Sequence, residues 1–456
     1  MGGINMTFKK PVRLISMLLV LMILISGCMG QKIQHSGDPE NIDGTGDVGN
    51  TGNAEESNTD QSDAAVNDPS GAGSDAGNSG TDSEHGPGAS GSEEQTSGNG
   101  MEQGSGEGSD DASGAKEDDY IRVKALYLTG WTAGSTKNIE HYIELAKTTE
   151  INAYVVDIKD EDGYVGYESQ VPEVVENKTW MKKYNPERLL EAFHDNDIYV
   201  IGRLVVFKDP VYSLKRPDLA IKHVNGKVWK DKDDISWLNP YNKETWDYII
   251  SIAKEAVAKG FDEIQFDYVR YPGGGKTTMD FSGTDKEKYE AINEFLAYAK
   301  EQITEVPISA DVFGIILESP KDTENIGQYL ELIGRDIDYI SPMVYPSHYA
   351  LGQIVNKVKF SIPDLDPYGV VYNSLAKCRD RIGQVEGYKA RVRPYLQDFT
   401  ATWLKSKDGK TKYYQEYGPE QVRQQIQAVY DAGYEEWILW DARNTYSEEA
   451  LMKEGE

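Results

Sequence analysis

Residues 263–272 read EIQFDYVRYP and follow a helix-like run that closes at Lys259-Gly260. The stretch begins as a buried strand, with Ile264 and Phe266 on one side and Gln265 and Asp267 on the other. A strand of a closed barrel has this character: apolar residues pack on surrounding helices and the alternate residues face the axis. Asp267 then falls where the strand hands over to its loop, the rim at which such barrels carry their chemistry. Arg270 follows three residues later.

Seven other runs have strand texture: VKALYLTGW (123–131), AYVVDIKD (153–160), YVIGRLVVF (199–207), PISADVFG (307–314), YISPMVYP (339–346), RVRPYLQDF (391–399) and EWILWDAR (436–443). Helix-like runs lie between them. Residues 185–196 carry Asn185 as a cap and Pro186 in the first turn, and 245–260 close on a glycine; 418–433 show both signals. Eight strands alternating with helices predict an α/β fold, a (β/α)8 TIM barrel. An open doubly wound sheet would more often place a glycine-rich phosphate loop after its first strand. YPGGGK (271–276) follows the fourth strand and lacks the P-loop spacing, so it reads as a turn.

The same parity test extends around the barrel. It sends Asp157 and Lys159 inward on the second strand, Arg203 on the third, Ser309 and Asp311 on the fifth, and Met343 and Tyr345 on the sixth. Asp441 ends the eighth strand on either parity. Asp157, Arg203, Asp267 and Asp311 therefore converge on one rim. A buried ion network that only fixes the barrel is a costly alternative, because desolvating charges seldom stabilises a fold.

Two nearby carboxyls can divide acid and base roles. In glycoside cleavage one protonates the leaving oxygen while the other attacks the anomeric carbon or activates water. Neighbouring strands lie about 4.8 Å apart, so the Asp267 and Asp311 carboxyls are expected roughly 5–7 Å apart, nearer the retaining than the inverting geometry. The expected catalytic pair is Asp267 as nucleophile and Asp311 as general acid/base, with Asp157 or Asp441 as replacements for the latter. Arg203 or Arg270 would keep a carboxylate charged, although parity turns Arg270 from the axis and also fits a structural clamp. Tyr345 could donate to a carboxylate or a sugar oxygen. Trp131, Tyr268, Tyr271, Trp403 and Trp440 near strand ends, and Trp229 and Trp237 after the third strand, offer flat faces suited to pyranose rings. The expected substrate-binding set is thus Asp157, Lys159, Arg203, Arg270, Tyr345, Trp131 and Asp441.

No cofactor and no metal are expected. The six His residues form no HxH or HxxxH pair, and His348 alone is placed for catalysis, though an ordinary loop histidine fits it as well. DIKDEDG (157–163) resembles a calcium loop only loosely and reads as a solvated loop. With two cysteines in the chain, no disulfide framework is expected, and Cys378 reads as a core residue.

The chain has 456 residues and a formal net charge of −29. About −20 of it falls between Ile33 and Asp119, where Lys116 is the only Lys or Arg. Such acidity argues against a nucleic-acid partner. From Gln34 the residues are largely Gly, Ser, Asp, Glu, Asn and Thr, which cannot bury enough surface to offset ordering entropy. Residues 29–119 are therefore expected to form a flexible tether reaching tens of ångströms by random-coil scaling. Ahead of it, Lys9, Lys10 and Arg13 precede the apolar run LISMLLVLMILIS (14–26) and then ISGC (25–28). This resembles the lipobox of bacterial lipoproteins, which implies cleavage ahead of a lipidated Cys28. The expected organisation is a signal peptide at 1–28, a tether at 29–119 and the barrel at 120–456, on the extracytoplasmic face of the cell membrane.

YLTGW (127–131), NAYVVDIKDEDGYVGY (152–167), GFDEIQFDYVRYP (260–272), ISADVFG (308–314), ISPMVYPSHY (340–349) and WILWDARNTYS (437–447) together resemble a bacterial family of glycoside-hydrolase-like barrels, relatives of amylase-like and galactosidase-like enzymes. The resemblance covers nearly all of 120–450, and FDYVRYP is its most specific element. It implies a TIM barrel with a carboxylate at the end of the fourth strand, here Asp267. It leaves the acid open, because related families take it from the fifth or sixth strand. The expected protein is a monomeric, lipid-anchored glycoside hydrolase acting on a polysaccharide or oligosaccharide. A catalytically inactive carbohydrate-binding barrel and a hydrolase of wall amides are the alternatives.

Overall fold

A computed structural model describes residues 120–273 and 277–453. The lipobox with Cys28, the signal peptide, the tether and most of the GGGK turn lie outside the described residues.

Eight parallel strands close on themselves: β1 (Lys124–Leu128), β2 (Ala153–Lys159), β3 (Tyr199–Val205), β4 (Glu263–Asp267), β5 (Ile308–Phe313), β6 (Tyr339–Met343), β7 (Arg391–Val392, continuing as Tyr395–Gln397) and β8 (Trp437–Trp440). Each pairs with the next, and β8 returns to β1 through Lys124↔Trp437 and Ala125↔Ile438. This is the (β/α)8 barrel that the alternation predicts. Helices fill the crossovers, among them α1 (Thr136–Thr148), α2 (Pro186–His194), α3 (Lys243–Lys259), α4 (Lys288–Gln302), α5 (Leu330–Ile333), α6 (Pro367–Ile382) and α7 (Pro419–Asp431). Their ends follow local chemistry. Asn185 accepts the Arg188 N–H at 2.7 Å ahead of Pro186, and Gly260 closes α3 at φ 107°.

The strands alternate as parity requires. Ile264, Phe266, Ile308, Ala310, Val312, Leu204, Ile340 and Leu439 join the helices in one large apolar core. Ala125, Tyr127, Val155, Ile201, Tyr395 and Ile438 form a separate cluster inside the barrel. Gly202 faces outward in β3, where an added Cβ would run into Ile158 and Phe261.

Beside this inner apolar cluster runs a column of polar groups. At its floor the Arg393 guanidinium bonds Glu263 at 2.9 Å and Glu436 at 3.2 Å, all essentially sealed from solvent. Above it Tyr395 donates to Gln265 at 2.6 Å, and Gln265 donates to Ser341 at 3.2 Å. The carboxylate cluster lies at the C-terminal rim.

Three local features depart from simple alternation. β4 ends at Asp267, and Tyr268, first in the loop, adopts a left-handed φ of 51° that turns the chain away. β7 is interrupted at Arg393-Pro394, since proline has no N–H for the ladder. In β2 the register with β3 slips between Asp157↔Arg203 and Lys159↔Leu204, a bulge that absorbs Ile158.

Candidate active site

Arg203 is the centre of the rim. Its Nε and Nη2 donate to Asp267 Oδ2 at 3.0 and 2.6 Å, and Nη1 donates to Asp157 Oδ1 at 2.6 Å. Nη2 also bonds Glu161. The guanidinium lies 5.4 Å from the Tyr127 ring centroid, and Tyr127 donates its hydroxyl to Asp157 at 2.7 Å. One planar fork therefore gathers three carboxylates from β2, its loop and β4. Asp267 Oδ1 accepts the N–H of Tyr268, the residue whose left-handed turn ends the strand.

Asp311 lies beside this group. The pairings Gln265↔Ser309 and Phe266↔Ala310 carry β4 and β5 upward in step, bringing Asp267 and Asp311 to the same level. Asp311 is 2 % exposed, and its Oδ1 has no hydrogen-bond partner among the described residues. Burial, and then the charge of Asp267, raise its proton affinity well above the usual carboxylate range. Asp157 is likewise pushed up to about 7, chiefly by burial, with Arg203 opposing. Glu161 goes the other way. Burial pushes it up, but Arg203 and then Lys208 bring it down to about 2. The rim thus holds carboxyls with sharply divided proton affinities, the condition for separate acid and base roles.

The opposite side of the mouth is aromatic. Tyr345, 4 % exposed, lies 5.8 Å from Trp440 and 5.7 Å from Phe399, centroid to centroid. Trp403 stacks on Phe399 at 5.9 Å and is half exposed, as is Trp131 beyond β1. His348 packs against Tyr345 at 5.2 Å, and burial lowers it to about 4, leaving a neutral ring at neutral pH.

The expected residues therefore separate. Asp157, Arg203, Asp267 and Asp311 come together, with Tyr345 facing them from the aromatic side. Lys159 does not join them. The bulge places it against outward-facing Leu204, fully buried, with Nζ on Val205 O at 2.9 Å and Asp209 at 3.0 Å. It clamps the ends of β2 and β3 and offers nothing to a substrate. Asp441 also stands apart, accepting the Thr445 N–H at 2.9 Å as a loop brace. Arg270 packs its guanidinium 4.3 Å from the Phe313 centroid and donates to Tyr271 O at 3.0 Å. Trp229 and Trp237 are buried. The DIKDEDG segment is more than a solvated loop, since Asp160 pairs with Lys183 and Glu161 with Arg203. Glu161, Tyr127 and Lys208 are site residues that sequence reasoning missed.

A closed parallel barrel with carboxyls and an arginine drawn together at its C-terminal rim is the frame of a glycosidase-type domain. The chain belongs to the family described as "Putative glycosyl hydrolase domain", whose model matches residues 125–446. Among solved structures it is similar to a hypothetical protein from Ruminiclostridium thermocellum, with 62% identity over 41% of this chain and 97% of that one, at a TM-score of 0.40. It is also similar to the PgaB (BpsB) glycoside hydrolase domain from Bordetella bronchiseptica, at 13% identity over 70% of this chain and 94% of that one, with a TM-score of 0.52. That second likeness speaks to the fold. A search of curated proteins gave no match.

Proposed function

We propose that this chain is a glycoside hydrolase acting on a surface or environmental polysaccharide, with Asp267 as nucleophile and Asp311 as general acid/base. The observation that carries the reading is the pairing of an arginine-bound carboxylate with a buried carboxyl of raised proton affinity at the same level of adjacent strands. In the first step an Asp267 oxygen attacks the anomeric carbon, the glycosidic C–O bond breaks, and the Asp311 proton passes to the leaving oxygen. In the second, water attacks the anomeric carbon while Asp311 takes its proton, and Asp267 is released. Arg203 fixes Asp267 and balances its charge through both steps. The aromatic wall of Tyr345, Trp440 and Trp403 supplies faces for the apolar sides of the sugar rings.

A barrel that only bound carbohydrate would need the wall but not a protonated Asp311. The lipobox-like ISGC ending at Cys28 and the acidic stretch after it support an enzyme anchored by lipid outside the cytoplasmic membrane and reaching its polymer on a tether. The test is a fluorinated glycosyl probe followed by peptide mass spectrometry. An adduct on Asp267 supports retaining hydrolysis. Turnover without an adduct at this residue sinks the assignment, and absence of turnover on a broad polysaccharide panel sinks the enzyme.

A further inference from the structure

The mouth has a second cationic centre, separate from the Arg203 fork. Lys208 follows β3 and is 8 % exposed. Its Nζ lies 4.6 Å from the Tyr268 ring centroid and 3.4 Å from the Tyr268 hydroxyl. No carboxylate among the described residues stands within ion-pair distance of it. Glu161 feels its charge, but accepts its hydrogen bond from Arg203. Arg270 approaches the same tyrosine, with its guanidinium 5.0 Å from the ring centroid. Two buried cations thus flank one ring, and that ring belongs to the residue directly after Asp267.

Burying an ammonium whose nearest acid is already bound by an arginine, with no carboxylate in contact, is costly. An ammonium has three donors, and the single long contact to a phenol leaves most of that capacity unused. The cations also sit on the charged side of the mouth, across from neutral Tyr345, His348, Phe399 and Trp440. A pyranose stacked on that wall by a C–H face would carry its equatorial substituents around the ring edge, where one on the charged side can face Lys208.

We propose that Lys208, with Tyr268 and Arg270, forms an anion subsite beside Asp267 that reads a sugar carboxylate, so that the substrate is a uronic-acid-containing saccharide. This rests on the glycosidase reading and names the substrate class of that site. The substrate carboxylate completes the Lys208 ammonium, and the two cations offset its repulsion from Asp267.

Binding of a tetragalacturonate and a hyaluronan tetrasaccharide to the full-length chain, each against its carboxyl-reduced neutral counterpart, tests this by calorimetry at low salt. At least one acidic saccharide should bind about tenfold more tightly than its reduced partner, the order of one charge-assisted hydrogen bond. Lys208→Met should abolish the preference and Lys208→Arg should keep it, with thermal melts showing both variants folded. Equal binding within both pairs overturns the subsite, as does a preference that survives Lys208→Met. Hydrolysis of neutral polysaccharides without acid preference would leave the hydrolase standing and remove the subsite. Acid-selective binding without turnover on any substrate would do the reverse.

Discussion

Arg203 meets Asp267 across two adjacent strands through two N–H groups on one oxygen, Nε at 3.0 Å and Nη2 at 2.6 Å from Oδ2. The same guanidinium holds Asp157 and Glu161, so one side chain bonds three carboxyls of the rim. Its removal strands several largely buried acids without their shared cation.

Arg203→Met should therefore cost about 3–5 kcal/mol of stability, the usual consequence of breaking a buried ion group from one side. Arg203→Lys should fall between, since a point charge cannot span three carboxylates. Urea unfolding at neutral pH measures both. A loss below about 1 kcal/mol for the methionine variant would show that the cluster is not held as described.

Asp157 makes stability depend on pH in an uncommon direction. Its folded-state affinity of about 7 lies above the ordinary 3.8. Between those values the native state holds a proton that the unfolded state has released, so stability falls as pH rises. The slope attributable to one such proton is about 1.4 kcal/mol per pH unit. Asp311 contributes in the same direction. Urea unfolding from pH 4 to pH 7 should show Asp157→Asn losing stability less steeply than the parent. Parallel curves would mean that Asp157 titrates in the ordinary range.

Asp311→Asn should lower kcat by about 10²–10⁴-fold on natural linkages, the range for loss of a general acid. The loss in bond cleavage should shrink for a dinitrophenyl glycoside, whose leaving group needs little protonation. Single-turnover kinetics on the two substrates gives the comparison. An equal loss on both would place the acid elsewhere, with Asp157 the next residue to examine.

Gly202→Ala should destabilise by about 1–3 kcal/mol, because the new methyl group would meet Ile158 and Phe261 behind the strand that carries Arg203. Thermal unfolding measures it. No change would show that the bulge at Ile158 relaxes freely.

Much of this was legible in the sequence, because alternation is a strong constraint where one face packs on helices. It placed Asp157, Arg203, Asp267 and Asp311 correctly. It failed at Lys159, where a bulge reverses parity and nothing in AYVVDIKD marks the extra residue. It gave no hold on Glu161 or Lys208, which lie past the strand ends where the period of two no longer applies. The left-handed turn at Tyr268 was equally hidden, since tyrosine rarely adopts it. Glu263 was within reach, because it shares the parity of Gln265 and Asp267 and so faces the axis. Its partners Arg393 and Glu436 come from strands whose pattern is less regular.

Inside this barrel a column of charged and hydrogen-bonding groups, from Arg393 to Asp311, runs beside the apolar cluster of Ala125, Val155, Ile201 and Ile438. Asp311 accordingly senses Glu263 and Arg393, two residues at the far end of the axis. A substitution at the base should thus shift the proton affinity of Asp311 while the groups at the rim keep their places.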